Sequence, residues 1–372
     1  MILVSRYRLI FILALALLSA ALLLNEHLVP AGDNATYMIL GQSLATGKGY
    51  KMISDPRSLE MALYPPGYPL FLAGALALTG TVHNLLAAIL PIKLVSIAFH
   101  LGATALTYDL LRQRSAALAI ITALLMAVNP HLLHFATEIG TEIPYLFLSL
   151  CCVWFVERYR REPSKRNLVW VAVPLVLTFY VRSIALVMCA AFVLYLVVQR
   201  RFQHAVLLLF IVGMLVAPWF IHSSLLPATG TSVGLGRGYF ALYLSGDPYG
   251  TTKASLSDWI ARLTQNLRIY AVDIWPDVLF PHALSASAFL GPSGRVFAGV
   301  ISLLLLLGFI LEARWGYVSE WYIAAFFASC VGYLWAQSRL IVPIIPFAIY
   351  YLFAAVNFLL QCSLSRLYSK FV

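Results

Sequence analysis

Runs of roughly 20 apolar residues recur along the whole of this 372-residue chain, the first being Leu9 to Leu24 directly behind Arg6 and Arg8. A helix needs about that length to cross the roughly 30 Å hydrocarbon core, where every backbone polar group must be satisfied inside the segment. A transmembrane barrel would show short alternating segments instead, and none occur. Hydrophobic residues make up 62% of the chain and charged residues 11%, and the mean hydropathy is +0.87, which excludes an ordinary soluble domain. The expected fold class is an all-α polytopic membrane protein. It has about ten transmembrane helices and two long extracytoplasmic loops bearing short interfacial helices.

Hydropathy and charge together place the spans near 7–25, 85–111, 115–130, 141–157, 167–181, 183–199, 204–221, 295–311, 318–336 and 340–360. The first is read as an uncleaved span, because no small-residue cleavage site follows it. With these boundaries the inner loops hold 14 of the 25 Lys and Arg but 5 of the 15 Asp and Glu. Arg6, Arg8, Arg112, Arg114, the cluster Arg158 to Arg166, Arg200, Arg201, Arg314, Arg366 and Lys370 form this inner set. The positive-inside rule then makes the protein a multi-pass plasma (inner) membrane protein with both termini cytoplasmic. The net charge of +10 reflects that orientation and implies no nucleic-acid partner, since the basic residues cluster at the ends of apolar runs. Cys151, Cys152, Cys189, Cys330 and Cys362 lack metal or disulfide spacing and read as packing residues.

Residues 1–372 form a single membrane domain on this reading. Outer loop 26–84 is assigned to catalysis, and outer loop 222–294 to the acceptor or a lid. The first loop carries an amphipathic helix near Ala35 to Leu44 and a short apolar, interfacial stretch at 67–80. The second opens on a Gly- and Pro-rich segment, Pro227 to Gly238, and continues into an amphipathic helix from about Leu256 to Tyr270. No separate soluble domain is expected on this reading.

Outward-facing acids are scarce in this scheme, and two groups stand out. Asp33 sits at the start of the first amphipathic helix, where an N-cap role is the structural alternative. Glu138 and Glu142 are four apart at the junction of the third and fourth spans, on one face if helical. His131 and His134 nearby are either metal ligands or headgroup-bonding residues. Among the cations, Arg182 lies at the tip of an unusually short in-and-out pair. Each leg of about 15 residues reaches roughly 23 Å at 1.5 Å per residue, so Arg182 stops below the outer surface unless it snorkels to headgroups. Lys93 lies within reach of the outer surface, and Arg339 opens the last span. Carboxylates for proton transfer and cations for a phosphate leaving group suit glycosyl transfer from a lipid phosphate.

Gly32-Asp33 in the first outer loop, followed by Tyr64-Pro65-Pro66-Gly67-Tyr68-Pro69, resembles the GT-C integral-membrane glycosyltransferases. The closest branches are the lipid A aminoarabinose transferases and protein O-mannosyltransferases. Thr141 to Leu148, Val181-Arg182 and Ser338-Arg339 through Pro346 resemble later landmarks of that family. The resemblance implies transfer of a hexosyl- or pentosyl-type sugar from a polyprenyl-phosphate donor to a lipid, glycan or protein acceptor at the extracytoplasmic face. It implies Asp33 as general base or metal ligand, Glu142 as the second acid with Glu138 in reserve, and Arg182, Arg339 and Lys93 around the carrier phosphate. Tyr64 and Tyr68 are then substrate contacts. No cofactor is fixed by this reading; a divalent metal stays open, with Asp33, His131 and His134 as its candidate ligands. The rival reading is a polytopic lipid or sugar transporter or flippase, which would show internal repeats and Gly/Pro-broken spans at the midplane. No repeat is present.

Overall fold

The computed structural model describes residues 2–28, 33–226, 243–246, 252–280, 292–313 and 316–371. Pro30-Ala31-Gly32, the segment Pro227 to Gly238 and Arg314 lie outside the described residues. Regular structure among the described residues is helical, with two isolated bridges, Lys51 to Glu60 and Ser245 to Lys253. The chain runs through α1 (Ile2–Leu23), α2 (Asn34–Ala45), α3 (Gly67–Thr79), α4 (Leu85–Leu111), α5 (Ala116–Val128), α6 (Pro130–Ala136) and α7 (Glu142–Arg161). It continues through α8 (Lys165–Val181), α9 (Ala185–Val198) and α10 (Phe202–Leu225). Next come α11 (Leu256–Ile269), a π-helical turn (Tyr270–Ile274), α12 (Trp275–Leu279), α13 (Pro292–Glu312) and α14 (Val318–Gly332). A 3-10 segment (Ser338–Ile344) then leads into α15 (Ile345–Phe371).

Local chemistry explains several starts. Asn84, Ser115, Asn129 and Ser164 each accept a backbone N–H with the side chain at the head of α4, α5, α6 and α8, the capping role short polar residues play best. Pro130 follows Asn129 at the first position of α6, where its missing N–H costs no helical bond. The result is a break: α5 and α6 are bent by 57° to each other, so the span expected at 115–130 ends there and α6 continues beyond it at an angle.

Helices stand at each of the ten expected positions. Among the described residues, however, only Leu85–Leu111, Phe202–Leu225, Ser293–Glu312 and Ser338–Ser363 are long and apolar enough to cross a membrane, with the bent α5–α6 pair as a fifth. The count of about ten spans is therefore not carried by helix length. The others are short, as Ala185–Val198 and Val318–Gly332 are, or charged at one end, as α7 is at Arg158, Arg160 and Arg161. Apolar side chains stay exposed along α10 and α13, Phe210 at 65% and Leu303 at 66%, as expected of helices whose solvent is lipid.

Two cores organise the molecule. The larger packs Tyr145, Leu146, Phe179, Phe192, Tyr322, Phe326 and Ile341 between α7, α8, α9, α14 and the 3-10 segment. The smaller belongs to the first long loop: Tyr37, Leu40, Tyr68, Leu72 and Ile92 join α2 and α3 to α4. At the far end of the bundle, buried Arg114 meets buried Glu320 at 2.5 Å, and Tyr351 donates to the same carboxylate at 3.1 Å. The Tyr317 ring lies between Arg114 and Arg160, 4.5 and 4.3 Å from their guanidinium carbons.

Candidate functional site

Asp33 occupies the N-cap position of α2, and its carbonyl accepts the Tyr37 N–H at 3.0 Å. Its carboxylate makes no capping bond. Instead Oδ1 accepts the Tyr64 hydroxyl at 2.7 Å, and Oδ2 accepts Arg339 Nη1 at 3.2 Å. The side chain that would have served the helix is turned toward a tyrosine and a guanidinium brought from elsewhere.

The Pro-Pro-Gly-Tyr-Pro stretch that follows Tyr64 sets where α3 begins. A Cβ on Gly67 would lie 2.7 Å from the backbone carbonyl of Tyr180, so only glycine lets the head of α3 rest on the end of α8. A Cβ on Gly41 would likewise meet the Leu72 Cβ at 2.8 Å, the point where α2 crosses α3. These contacts bring Asp33 and Tyr64 to the end of α8, whose C-cap is Arg182.

Arg182 leaves the helix in an extended conformation, φ −149 and ψ 125. Its Nη1 donates to Glu142 Oε1 at 2.8 Å and to Thr141 Oγ1 at 3.3 Å. Glu142 is the first residue of α7, where the helix dipole favours a negative charge. The two legs of the short pair are 17 and 14 residues long, and Arg182 at their tip is ion-paired, its side chain 18% exposed.

Tyr68, expected as a substrate contact, lies deeper than Tyr64. It is buried at 2% exposure, edge-on to Tyr37 at 5.2 Å, and so stands behind the cleft where a substrate contact was expected. Burial, then the nearby Glu142 carboxylate, pushes its phenol up, against a hydrogen bond with the Gly140 backbone.

Lys93, expected near the carrier phosphate, lies deeper. The ammonium is fully buried: it donates to Asn25 Oδ1 at 3.0 Å and to the His27 carbonyl at 2.8 Å, and it is ion-paired with Glu138 Oε1 at 3.5 Å. It ties the end of α1 to α4 and stands behind Glu138, not open to an incoming phosphate.

Asp33, His134, Glu138, Glu142 and Arg339 line an open cleft of about 520 Å³. An adjoining, narrower cleft of about 210 Å³ is lined by Glu142, Arg182 and Arg339, with Tyr145, Ile184, Phe326, Leu340 and Pro343 as its apolar walls. Glu142 and Arg339 belong to both. Two ion pairs, Asp33–Arg339 and Glu142–Arg182, thus line adjoining clefts that share Glu142 and Arg339, with Glu138 as a third carboxylate in the wider one.

The metal expectation does not fit this arrangement. His134 lines the wider cleft, whereas His131 packs edge-on to Phe135 at 5.0 Å with Nε2 buried. Among the described residues, no three His, Cys, Asp or Glu side chains gather into a metal-holding group.

Sequence reasoning missed Gln337, whose Oε1 accepts Arg339 Nε at 2.8 Å, and Asn25, which helps hold Lys93. A polar residue directly before Ser338-Arg339 was the available signal for Gln337. No local signal pointed to Asn25 as a lysine partner, because the two are 68 positions apart.

The sequence pattern of a family described as dolichyl-phosphate-mannose-protein mannosyltransferase matches residues 64–222. No curated protein sequence matches the chain. Among solved structures, the archaeal oligosaccharyltransferase AglB from Archaeoglobus fulgidus is similar over 99% of this chain and 52% of its own, at 12% identity and a TM-score of 0.55. ArnT from Cupriavidus metallidurans is similar over 93% of this chain and 59% of its own, at 15% identity and a TM-score of 0.57. The chain thus spans between half and three-fifths of the length of these structures. Helix order, the ordered landmarks around the cleft and both likenesses agree: this chain has the fold of the GT-C integral-membrane glycosyltransferases.

Proposed function

We propose that this protein is a glycosyltransferase that moves a hexosyl- or pentosyl-type sugar from a polyprenyl-phosphate carrier to a lipid, glycan or protein acceptor at the extracytoplasmic face. One observation supports the reading above the others: two arginine–carboxylate pairs, Asp33–Arg339 and Glu142–Arg182, line adjoining clefts that share Glu142 and Arg339. The family likeness and the AglB structure, which is a complex with a dolichol-phosphate, support a lipid-phosphate donor. The basic clusters that the sequence places at the other ends of the apolar runs support the extracytoplasmic face.

Ligand exchange between the pairs supplies the mechanism. The carrier phosphate draws the planar guanidiniums of Arg182 and Arg339 toward its oxygens, since arginine matches phosphate as well as carboxylate. Asp33 is released from Arg339 and accepts the proton of the acceptor hydroxyl. The acceptor oxygen forms a bond to the anomeric carbon as the carbon–oxygen bond to phosphate breaks. The electron pair of that bond stays on the phosphate, where the two arginines stabilise the added charge. Glu142, freed from Arg182, holds sugar hydroxyls beside the reacting carbon, and Glu138, braced by Lys93, stands in reserve at the wider mouth. Tyr64 keeps Asp33 aimed into the cleft.

The test is direct. The purified protein in lipid vesicles is given polyprenyl-phosphate sugars, labelled in the sugar, together with an envelope extract as acceptor. Label should leave the carrier and appear on an acceptor with one of the sugars. A protein that neither holds a polyprenyl phosphate nor discharges any of the donors overturns the proposal.

A further inference from the structure

Helix α11 presents three different faces. Ser255 and Asp258 start it with a reciprocal capping box. Leu256, Ile260, Leu263 and Leu267 fall on one stripe at helical spacing, and all four are exposed. Asp258, Gln265 and Arg268 form a polar face, also exposed. The face turned to the bundle carries Arg262 and Asn266, 7% and 4% exposed. A helix with one apolar and one polar free face is built to lie in a membrane surface. What is unexpected is that its polar residues, not its leucines, dock it to the protein.

These docking residues have specific partners. Arg262 donates to the carbonyls of Tyr243, at 2.9 Å, and Ser245. Asn266 Nδ2 donates to the carbonyls of Val331, at 2.9 Å, and Tyr333, at 2.7 Å. Val331 and Tyr333 flank the last residue of α14, where carbonyls have no partner within the helix. Past α11 the backbone widens into the π turn, a form that recurs where a helix must redirect a side chain. Its first residue, Tyr270, places its hydroxyl 3.4 Å from the N–H and 3.5 Å from the carbonyl oxygen of Gln337. Gln337 in turn receives Arg339 Nε at 2.8 Å, and Arg339 holds Asp33. The strap between α14 and Arg339 is thus gripped near its start by Asn266 and near its end by Tyr270.

We propose that Asn266 and Tyr270 are positioning residues that set the Arg339 guanidinium for the carrier phosphate. They act through the strap and through Gln337, without touching the phosphate. The inference rests on the polyprenyl-phosphate reading of the cleft. Arg339 has no rigid helix beneath it on its N-terminal side, so its angle depends on how that strap is held. A bidentate guanidinium–phosphate contact tolerates little misalignment.

The test is a double-mutant cycle read by equilibrium binding of farnesyl phosphate to the full chain in phospholipid nanodiscs. Asn266→Leu keeps the side-chain size and removes both donors; Tyr270→Phe removes only the hydroxyl and supplies a milder variant should the first fail to fold. Each should weaken binding by about tenfold, the scale of one lost hydrogen bond. In an Arg339→Lys background neither should cause further loss, because the fork they aim is already gone. Equal losses in both backgrounds would mean a merely structural role and would overturn the inference, as would unchanged binding by both single variants. Absence of farnesyl phosphate binding by the unaltered protein would instead overturn the functional reading, and this inference with it.

Discussion

Arg339 and Asp33, 306 positions apart in the chain, meet at 3.2 Å across the mouth of the cleft. The pair joins the start of the first long loop to the head of the last helix. It also leaves Asp33 with two partners, since Tyr64 holds the other carboxylate oxygen at 2.7 Å. An aspartate so held is aimed, and its charge is balanced until something else takes the guanidinium.

Asp33→Asn preserves the shape of the side chain and its bond from Tyr64 but removes the proton acceptor. Sugar transfer should fall by about 10²–10⁴-fold, the usual weight of a general base, while detergent-solubilised protein elutes and unfolds as before. Steady-state transfer assays beside thermal unfolding check this. Normal turnover in a folded variant removes Asp33 from the mechanism.

Arg182→Lys and Arg339→Lys retain charge and lose the planar fork. The donor KM should rise by about 10- to 100-fold in each, the scale of a charge-assisted hydrogen bond. Acceptor KM should stay nearly constant. A shift confined to the acceptor would place the arginines on the wrong substrate.

Lys93→Met should behave differently from the arginine variants. It leaves Glu138 without its cation and the His27 carbonyl without its donor, so stability should drop by about 1–3 kcal/mol, measured by denaturant titration in micelles. Donor KM in the folded fraction should remain within about twofold of the parent, a change worth under 1 kcal/mol. A large rise would return Lys93 to the phosphate site.

Gly67→Ala adds one methyl group against the Tyr180 carbonyl. Relieving that overlap moves α3 relative to α8, at about 1–3 kcal/mol of stability. The displacement reaches Arg182, so donor affinity should fall together with the unfolding temperature. Loss of stability with unchanged affinity would show that the α3–α8 contact does not set the cleft.

At the opposite end of the bundle, Glu320→Ala leaves Arg114 buried without its carboxylate. Removing one member of such a pair costs about 3–5 kcal/mol, and the combined Arg114→Met, Glu320→Leu variant should recover part of it. Chemical denaturation of the three proteins measures the difference. A single variant as stable as the parent would show that the pair is solvated rather than buried.

Much of this protein was legible in one dimension. Apolar runs mark where the helices stand, because a chain in lipid must satisfy its backbone locally, and Asp33, Glu142, Arg182 and Arg339 are conspicuous as charges at the ends of such runs. Hydropathy could not decide how many of those helices are long enough to cross, since α5 stops at Asn129-Pro130 and α9 has 14 residues. Nor could it separate a cation that lines a cleft from one enclosed in the core. Lys93 and Arg182 look alike as lone charges in apolar surroundings, yet Lys93 is enclosed by Asn25, His27 and Glu138 while Arg182 lines the cleft. Sequence determined which residue types were available to the site, because charge and hydropathy are properties of single residues. Tertiary structure alone decided their pairing, because an ion pair depends on distance, and only the packing of α3 on α8 and of the 333–339 strap under α11 brings these distant groups together.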